Sequence, residues 1–286
     1  MFVLDWGQKA LTIMNTPIPR RHDKPFSVTL FVITIVSTLI VCAFLMKFFV
    51  PSVWQTSLDA PLWRLAVVFL VAHLGTAFAE HYFHRYFLHS PFPFLRRLYR
   101  QHTLHHGLTN MKLISVTDAE GKVFNRYPIL STEQHEASYF PWYSLAVFIT
   151  VAMPVIIPLQ LVLPEWPVTV GSVLAIAWAI SLYEIIHMAE HLSFETFWKP
   201  KVMHPTFGKW WTSFYCFHLR HHAEVKLNEN ISGFFGIPIA DLTLGTYAPW
   251  PRVYLHGERV PRSEFEAHAP RPRLIVRITD AMLLRD

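Results

Sequence analysis

Ten of the 17 histidines of this chain stand in four short clusters. Two clusters have the pattern H-x-x-H-H, and the other two each hold a pair of histidines. The ten residues are His84, His89, His102, His105, His106, His187, His191, His218, His221 and His222. Positions i, i+3 and i+4 share one face of a helix, so each H-x-x-H-H is expected to present three imidazoles in one direction. Neutral imidazoles that converge form transition-metal sites, and ten of them suit two ions rather than one.

The ligand type narrows the choice of metal only in part. Imidazole ligation without thiolates is compatible with iron, zinc and copper. The chain has 2 cysteines, which is too few for a disulfide framework or a thiolate cluster. Because zinc has no redox chemistry, oxygen chemistry at this site favours iron over zinc. We therefore expect two iron ions, with zinc as a possible non-native substitute.

Polar residues near the clusters could orient the histidine rings. A metal-bound histidine usually donates its second ring N–H to a carboxylate or a carbonyl. The candidates are Glu80, Glu184, Glu190, Asp241 and Asn230. Glu184 is the strongest of these, because it lies one helical turn before His187. Outside the four clusters, His81 is expected to be a polar neighbour of the site and His73 a neutral side chain bonded to another helix.

The composition indicates which elements carry these residues. Hydrophobic residues make up 52% of the chain and charged residues only 16%, whereas soluble proteins have about 25% charged residues. A helix needs about 20 apolar residues to cross a bilayer. The apolar stretches of suitable length are 26–50, 62–78, 145–163 and 168–186. The sequence thus predicts an all-α integral membrane protein with four transmembrane helices.

The distribution of basic residues predicts the orientation of these helices. All 25 lysines and arginines except Lys47 and Arg64 fall in residues 1–25, 80–142 and 188–286. Positively charged segments stay in the cytoplasm, so both termini and the middle loop are predicted to be cytoplasmic. The spans then form two hairpins, and a cytoplasmic helical cap holds the histidines at one level. The net charge of +5 is a topology signal, and no base-reading motif suggests a nucleic-acid partner.

The clusters resemble those of the fatty acid hydroxylase/sterol desaturase superfamily of membrane di-iron enzymes. The similarity covers roughly residues 70–247. It rests on HRYFLH from His84, QHTLHH from Gln101, HMAEH from His187, FHLRHH from Phe217 and DLTLGT from Asp241. The resemblance implies that the ten histidines hold two irons and that dioxygen is a co-substrate. It also implies a lipid substrate and a separate haem- or iron–sulfur-protein electron donor with its reductase.

On this basis, residues 1–25 are expected to be an amphipathic N-terminal segment and residues 26–246 the membrane-embedded catalytic domain. Residues 247–286 are expected to be a cytoplasmic tail with a short surface helix near its end. The membrane would be the endoplasmic reticulum in a eukaryote or the inner membrane in a bacterium.

The expected activity is hydroxylation of an unactivated C–H bond in a fatty acyl, sphingolipid or sterol substrate. The same site could instead desaturate a lipid or oxidise a sterol methyl group, since substrate position decides the outcome. A non-enzymatic alternative is a membrane metal-binding protein or transporter. That alternative would need ionisable residues through the spans, and only His73 lies deep in one.

Overall fold

A computed structural model describes residues 27–92, 95–131, 134, 139–267 and 270–284. The predicted N-terminal segment 1–25 lies outside these residues. The described chain is mostly helical, and four of its helices are long and apolar enough to cross a membrane. They are α1 (Val28–Phe49), α3 (Leu62–Phe83), α5 (Ser144–Val162) and α6 (Val168–Glu190). The four predicted spans are therefore confirmed as helices, and their length and apolarity indicate a membrane protein.

The exposed surfaces of these helices explain why they require lipid. Helix α1 has no buried residue, and side chains such as Phe44 and Phe48 are more than half exposed. A soluble monomer rarely exposes an apolar surface this large. Helix α1 begins at Val28 because the side chain of Ser27 accepts the N–H of Leu30, which satisfies one of the free donors of the first turn.

Helices α3 and α6 lead into two of the four histidine clusters and pack closely against each other. A Cβ atom on Gly171 of α6 would lie 2.5 Å from Cγ1 of Val68 in α3, so only glycine permits this approach. Helix α5 packs on α6 through buried apolar residues that include Leu145, Ile149 and Ile176. This packing fixes the ends of α3 and α6 that hold the clusters.

Helix α3 is longer than the sequence predicted. It continues beyond residue 78 to Phe83 and then into a π-helical turn, His84–Leu88. The remaining helices are α2 (Pro51–Asp59), α4 (Arg96–Leu108), a second π-helical turn (Phe194–Trp198), α7 (Lys199–Val202), α8 (Gly208–His221), α9 (Ile239–Leu244), α10 (Arg262–Phe265) and α11 (Leu274–Leu283). The prediction stopped too early because Glu80, His81 and His84 read as polar, whereas all three are largely buried in protein.

The all-α prediction omitted a small antiparallel sheet. Its strands are β1 (Met111–Ser115), β2 (Glu120–Asn125) and β3 (Arg259–Pro261), in the order β1-β2-β3. Met111 pairs with Asn125, and Gly121 with Val260. Such short strands give little alternation to detect in the sequence, and the third comes from a distant part of the chain.

The predicted C-terminal tail is instead part of the folded structure. Trp250, Tyr254 and Phe265 are buried in one core with Trp198 and Tyr215. The predicted short helix near the end is present as α11. The part of this segment around Trp250, Tyr254 and Phe265 is therefore not peripheral, because these residues contribute to the core next to the histidine-bearing helix α8.

Candidate metal centre

The structure brings all ten clustered histidines together in two groups of five. In each group, one nitrogen from every ring lies within 4.8 Å of the others. The first group is His84, His89, His102, His106 and His221. The second group is His105, His187, His191, His218 and His222. The two groups touch, since the rings of His106 and His222 stack with centroids 4.2 Å apart. Two adjacent metal sites can be formed, as the number of histidines predicted.

Each H-x-x-H-H motif is divided between the two groups. In α4, His102 and His106 belong to the first group, whereas His105 belongs to the second. Successive residues of an α-helix are rotated by about 100°, so neighbouring side chains diverge while i and i+4 remain aligned. The same division occurs in the other motif, where His221 alone joins the first group. The three imidazoles of one motif therefore do not converge on a single ion.

The π-helical turn after α3 explains how His84 and His89 reach the same group. In an α-helix, residues five apart point about 140° away from each other. The i→i+5 hydrogen bonding of a π-turn widens the helix and brings the fifth residue back toward the same face. The two rings accordingly stack with centroids 5.1 Å apart.

The spacing of the ring nitrogens fits neighbouring ligands of one metal ion. In the first group, the Nε2 atom of His102 lies 3.0 Å from those of His84 and His106. In the second group, the Nε2 atoms of His105 and His187 are 3.1 Å apart. Two nitrogens bound at about 2.1 Å and at right angles to each other would be about 3.0 Å apart. The donor set and its spacing thus fit a divalent transition metal in each group.

Backbone carbonyls fix the orientation of three of these rings. The Nδ1 atom of His84 lies 2.7 Å from the carbonyl of Glu229, and that of His191 lies 2.8 Å from the carbonyl of Tyr127. His221 makes the same contact with the carbonyl of Leu227, at 2.7 Å. A carbonyl can only accept, so Nδ1 carries the proton and the neutral ring directs an unprotonated Nε2 at its group.

Thr109 orients a fourth ring through its hydroxyl group. The hydroxyl donates to the carbonyl of His105 at 2.6 Å and lies 3.0 Å from Nδ1 of His222. Since its proton is already used, the hydroxyl accepts the Nδ1 proton of His222. Thr109 was not predicted, although a polar residue three positions after a histidine motif is a usable signal. The carbonyl partners were not predicted either, since no side-chain pattern reveals them.

Replacing Thr109 with valine should lower metal affinity at the second group only. Valine keeps the shape but leaves the Nδ1 proton of His222 without its acceptor, and loss of such a partner costs about 10–100-fold in affinity. A metal titration that resolves the two binding steps would show this loss of affinity in one step only. The Thr243→Val variant is the control, since the Thr243 hydroxyl donates only to helix carbonyls. Equal weakening of both steps, or of neither, would contradict the role of Thr109.

Three of the residues that were predicted to orient the histidine rings help to hold the loop next to the site instead of binding one of those rings. Glu80 accepts the backbone N–H groups of residues 231–233. Asp241 accepts the N–H groups of Glu229 and Asn230 at 2.9 and 2.7 Å. Asn230 itself bonds to the backbone of residues 77 and 240. Together they hold the loop whose residue 229 contacts His84.

Two further predicted carboxylates are buried near the second group. Glu184 accepts the N–H of Phe140 at 2.8 Å and so holds the segment that precedes α5. Glu190 is 2% exposed, and its Oε2 has no hydrogen-bond partner among the described residues. The two carboxylates thus differ: Glu184 binds a backbone N–H, whereas Oε2 of Glu190 has no partner among the described residues.

The two histidines nearest to the clusters in the sequence have other partners. His81 lies 3.0 Å from the hydroxyl of Thr246, as a polar neighbour of the site. His73 accepts the N–H of Phe235 at 3.1 Å through Nε2, and its Nδ1 lies 3.3 Å from the hydroxyl of Thr76. His73 thus binds a loop that lies against α3 rather than another long helix. Neither residue belongs to the two groups.

The surroundings keep the histidines uncharged. Burial, followed by repulsion from neighbouring imidazoles, lowers the pKa values of the rings outside the spans well below their usual value. These rings are His89, His102, His105, His106, His218, His221 and His222. Burial also lowers the pKa of His191 to about 3. Neutral rings are the form that binds metal, so the site is ready for it at pH 7.

A small cavity borders both groups of histidines. Its volume is about 30 Å³, which is enough for about two water-sized molecules. The lining residues are Leu88, Leu98, Gln101, His102, His105, Tyr139, Phe140, Tyr183 and His187. His102 comes from the first group, whereas His105 and His187 come from the second. A small molecule in this cavity would contact ligands of both metal sites.

Comparison with known proteins does not assign the chain to a family. No family model matches it. No curated protein and no solved structure matches it significantly. The resemblance to the fatty acid hydroxylase/sterol desaturase superfamily therefore stays a prediction based on the histidine motifs.

Proposed function

We propose that this chain is a membrane di-iron oxygenase that hydroxylates an unactivated C–H bond of a lipid. The observation that carries the proposal is the pair of adjacent five-histidine groups, to which the ends of two candidate membrane-spanning helices bring His84, His89, His187 and His191. Bound iron would supply the redox chemistry that activates dioxygen, which zinc lacks. The resemblance of the motifs to lipid oxygenases supports the same assignment.

The protein would hold and orient the reacting groups. Each group offers five nitrogens, one fewer than an octahedral ion takes, which leaves room for a ligand that is not protein. The carbonyls of residues 127, 227 and 229 keep the ring protons away from the metal sites. Rings held in this way need little rearrangement when an ion binds.

The overall reaction defines what else is required. One oxygen atom of dioxygen enters the C–H bond to form an alcohol, and the other leaves as water. Balance requires two electrons and two protons, so we include a separate haem- or iron–sulfur-protein donor and its reductase. The donor would approach from the cytoplasm, where the basic residues are predicted to place both termini. The membrane would be the endoplasmic reticulum or a bacterial inner membrane.

The cavity between the two groups supports an apolar substrate. Apart from its three histidines, it is bordered by Leu88, Leu98 and Phe140, together with two tyrosines and a glutamine. Leu88 ends the candidate span that begins at Leu62, so this apolar wall would lie where the proposed span leaves the membrane. A fatty acyl, sphingolipid or sterol substrate could reach this apolar wall from the bilayer without crossing water, and the cavity of about 30 Å³ would have to widen to admit its carbon chain.

Isotope labelling tests the proposal directly. The purified chain, loaded with iron, would be placed in nanodiscs of a total lipid extract with an electron donor, and products followed by mass spectrometry. We expect an iron-dependent lipid product that is heavier by about 16 mass units, or about 18 under ¹⁸O₂, because the oxygen comes from dioxygen.

The controls separate this activity from its alternatives. The His105→Ala variant should abolish the product, whereas His256→Ala, which changes an exposed histidine, should not. A product lighter by about 2 mass units would indicate desaturation at the same site. An unchanged lipid profile across lipid extracts and donors, with iron bound, would contradict the oxygenase assignment.

A further inference from the structure

Helix α11 (Leu274–Leu283) presents an apolar face that the described protein does not cover. Leu274, Ile275, Ile278, Met282 and Leu283 are each at least half exposed. Positions 274, 278 and 282 follow one another at intervals of four, so they form a continuous stripe along the helix. Among its residues only Val276 is fully buried. A stripe of this kind requires an apolar environment.

The location of α11 identifies that environment. Val276 packs in a cluster with Phe78 and Tyr82 of the second span, and Thr279 lies 2.6 Å from the hydroxyl of Tyr86. One and two turns before Phe78, Leu74 and Val71 are 40% and 66% exposed, as expected for side chains that face lipid. Helix α11 thus lies beside the part of α3 where the lipid-facing surface ends.

Basic residues accompany the apolar stripe. Arg271, Arg273 and Arg277 are all exposed. Arginines beside an apolar helical face bind anionic headgroups while the face enters the acyl region. We propose that α11 is an interfacial helix whose apolar face lies in the bilayer and whose arginines contact anionic lipids.

The polar side of α11 connects this membrane contact to the first histidine group. Asp280 binds Arg85 through both carboxylate oxygens, at 2.9 and 2.7 Å. Arg85 directly follows His84 in the π-helical turn and also lies 3.1 Å from Oε1 of Glu229. A helix fixed in the bilayer would therefore hold the turn that carries His84 and His89. This inference depends on the membrane but not on the proposed oxygenase activity.

Fluorescence quenching tests where the stripe lies. A bimane label on Ile278→Cys, in full-length protein with Cys42→Ala, would be read in nanodiscs of phosphatidylcholine with or without phosphatidylglycerol. The Cys42→Ala protein without the new cysteine reports any labelling of the buried Cys216. Ile114→Cys is the matched control, because Ile114 is 48% exposed and Ile278 50%, but Ile114 lies on the small sheet.

We expect doxyl-labelled lipid to quench the label at 278 and aqueous iodide to quench the label at 114. The iodide quenching constants should differ on the order of ten-fold, since the interface excludes the anion. Phosphatidylglycerol should increase doxyl quenching of the label at 278, and replacing the three arginines with glutamine should remove this increase. Iodide quenching at 278 equal to that at 114 would overturn the proposal. Shielding from iodide without doxyl quenching would also overturn it, because a protein surface would then cover the stripe.

Discussion

Replacing His102 and His106 with alanine should remove one metal ion from the protein and leave the other bound. Both residues belong to the first group, which would keep three of its five histidines. The His218→Ala/His222→Ala pair should in turn remove only the ion of the second group. In contrast, His105→Ala/His106→Ala takes one ligand from each group, although these residues are adjacent in the sequence. That pair should weaken both binding steps instead of abolishing one.

Metal content per chain and titration with Fe²⁺ or Co²⁺ would distinguish these outcomes. Each same-group pair should lower the metal content from two ions to one. The pair split between groups should weaken both metal-binding steps at least about 100-fold, which is more than the loss of a residue that only orients a ligand, such as Thr109. All three pairs should lower turnover at least about 100-fold if both ions are needed.

The exposed pair His204→Ala/His256→Ala is the control and should retain both ions. If the split pair lost one ion and kept the other at full affinity, the division of the H-x-x-H-H motifs would be wrong.

The spacing of the histidines predicted which residues come together but not how they divide. Uncharged runs such as 145–163 predicted the spans because length and apolarity are local properties of the chain. The division of ligands depends on the π-helical turn His84–Leu88 and on the rotation between His105 and His106. The sequence HRYFLH does not specify a π-turn, since the packing around it decides its helical geometry.

Partners of the ligands were harder to predict because several are backbone groups. Any residue at positions 127 or 227 would supply the same carbonyl, so side-chain chemistry gives no signal there. Glu229 was missed because it lies between Asn228 and Asn230, a polar stretch that is typical of a turn. The structure buries residues 227–230, with Glu229 fully covered and its carboxylate beside Arg85. Tertiary packing therefore determines the burial of these residues, which their polarity alone does not predict.

Replacing the buried Arg85 with methionine should strongly destabilise the protein. Arg85 is 2% exposed and joins Asp280 of α11 to Glu229 of the loop that contacts His84. Burial raises the pKa of the Glu229 carboxyl, and Arg85 opposes that rise. Without the guanidinium, Glu229 would be a buried carboxylate with no cation beside it. Breaking a buried ion pair in this way costs about 3–5 kcal/mol in the free energy of unfolding.

Unfolding in mixed micelles would measure this cost, and two further variants would identify its cause. Adding Glu229→Gln to Arg85→Met should recover part of the loss, because the amide removes the unpaired charge but not the broken link to Asp280. Arg252→Met is the matched control: Arg252 also binds two carboxylates, Glu258 at 2.6 Å and Glu264 at 2.7 Å, but its side chain is 42% exposed.

Water and salt screen the Arg252 pairs, so the control should change stability only slightly. Arg85→Met should also weaken metal binding at the first group, since it frees the turn that carries His84, while the second group keeps its affinity. Equal, small effects of the Arg85 and Arg252 substitutions would show that the buried charges are not coupled. A loss of stability without a change at the first group would show that Arg85 supports the fold but does not position His84.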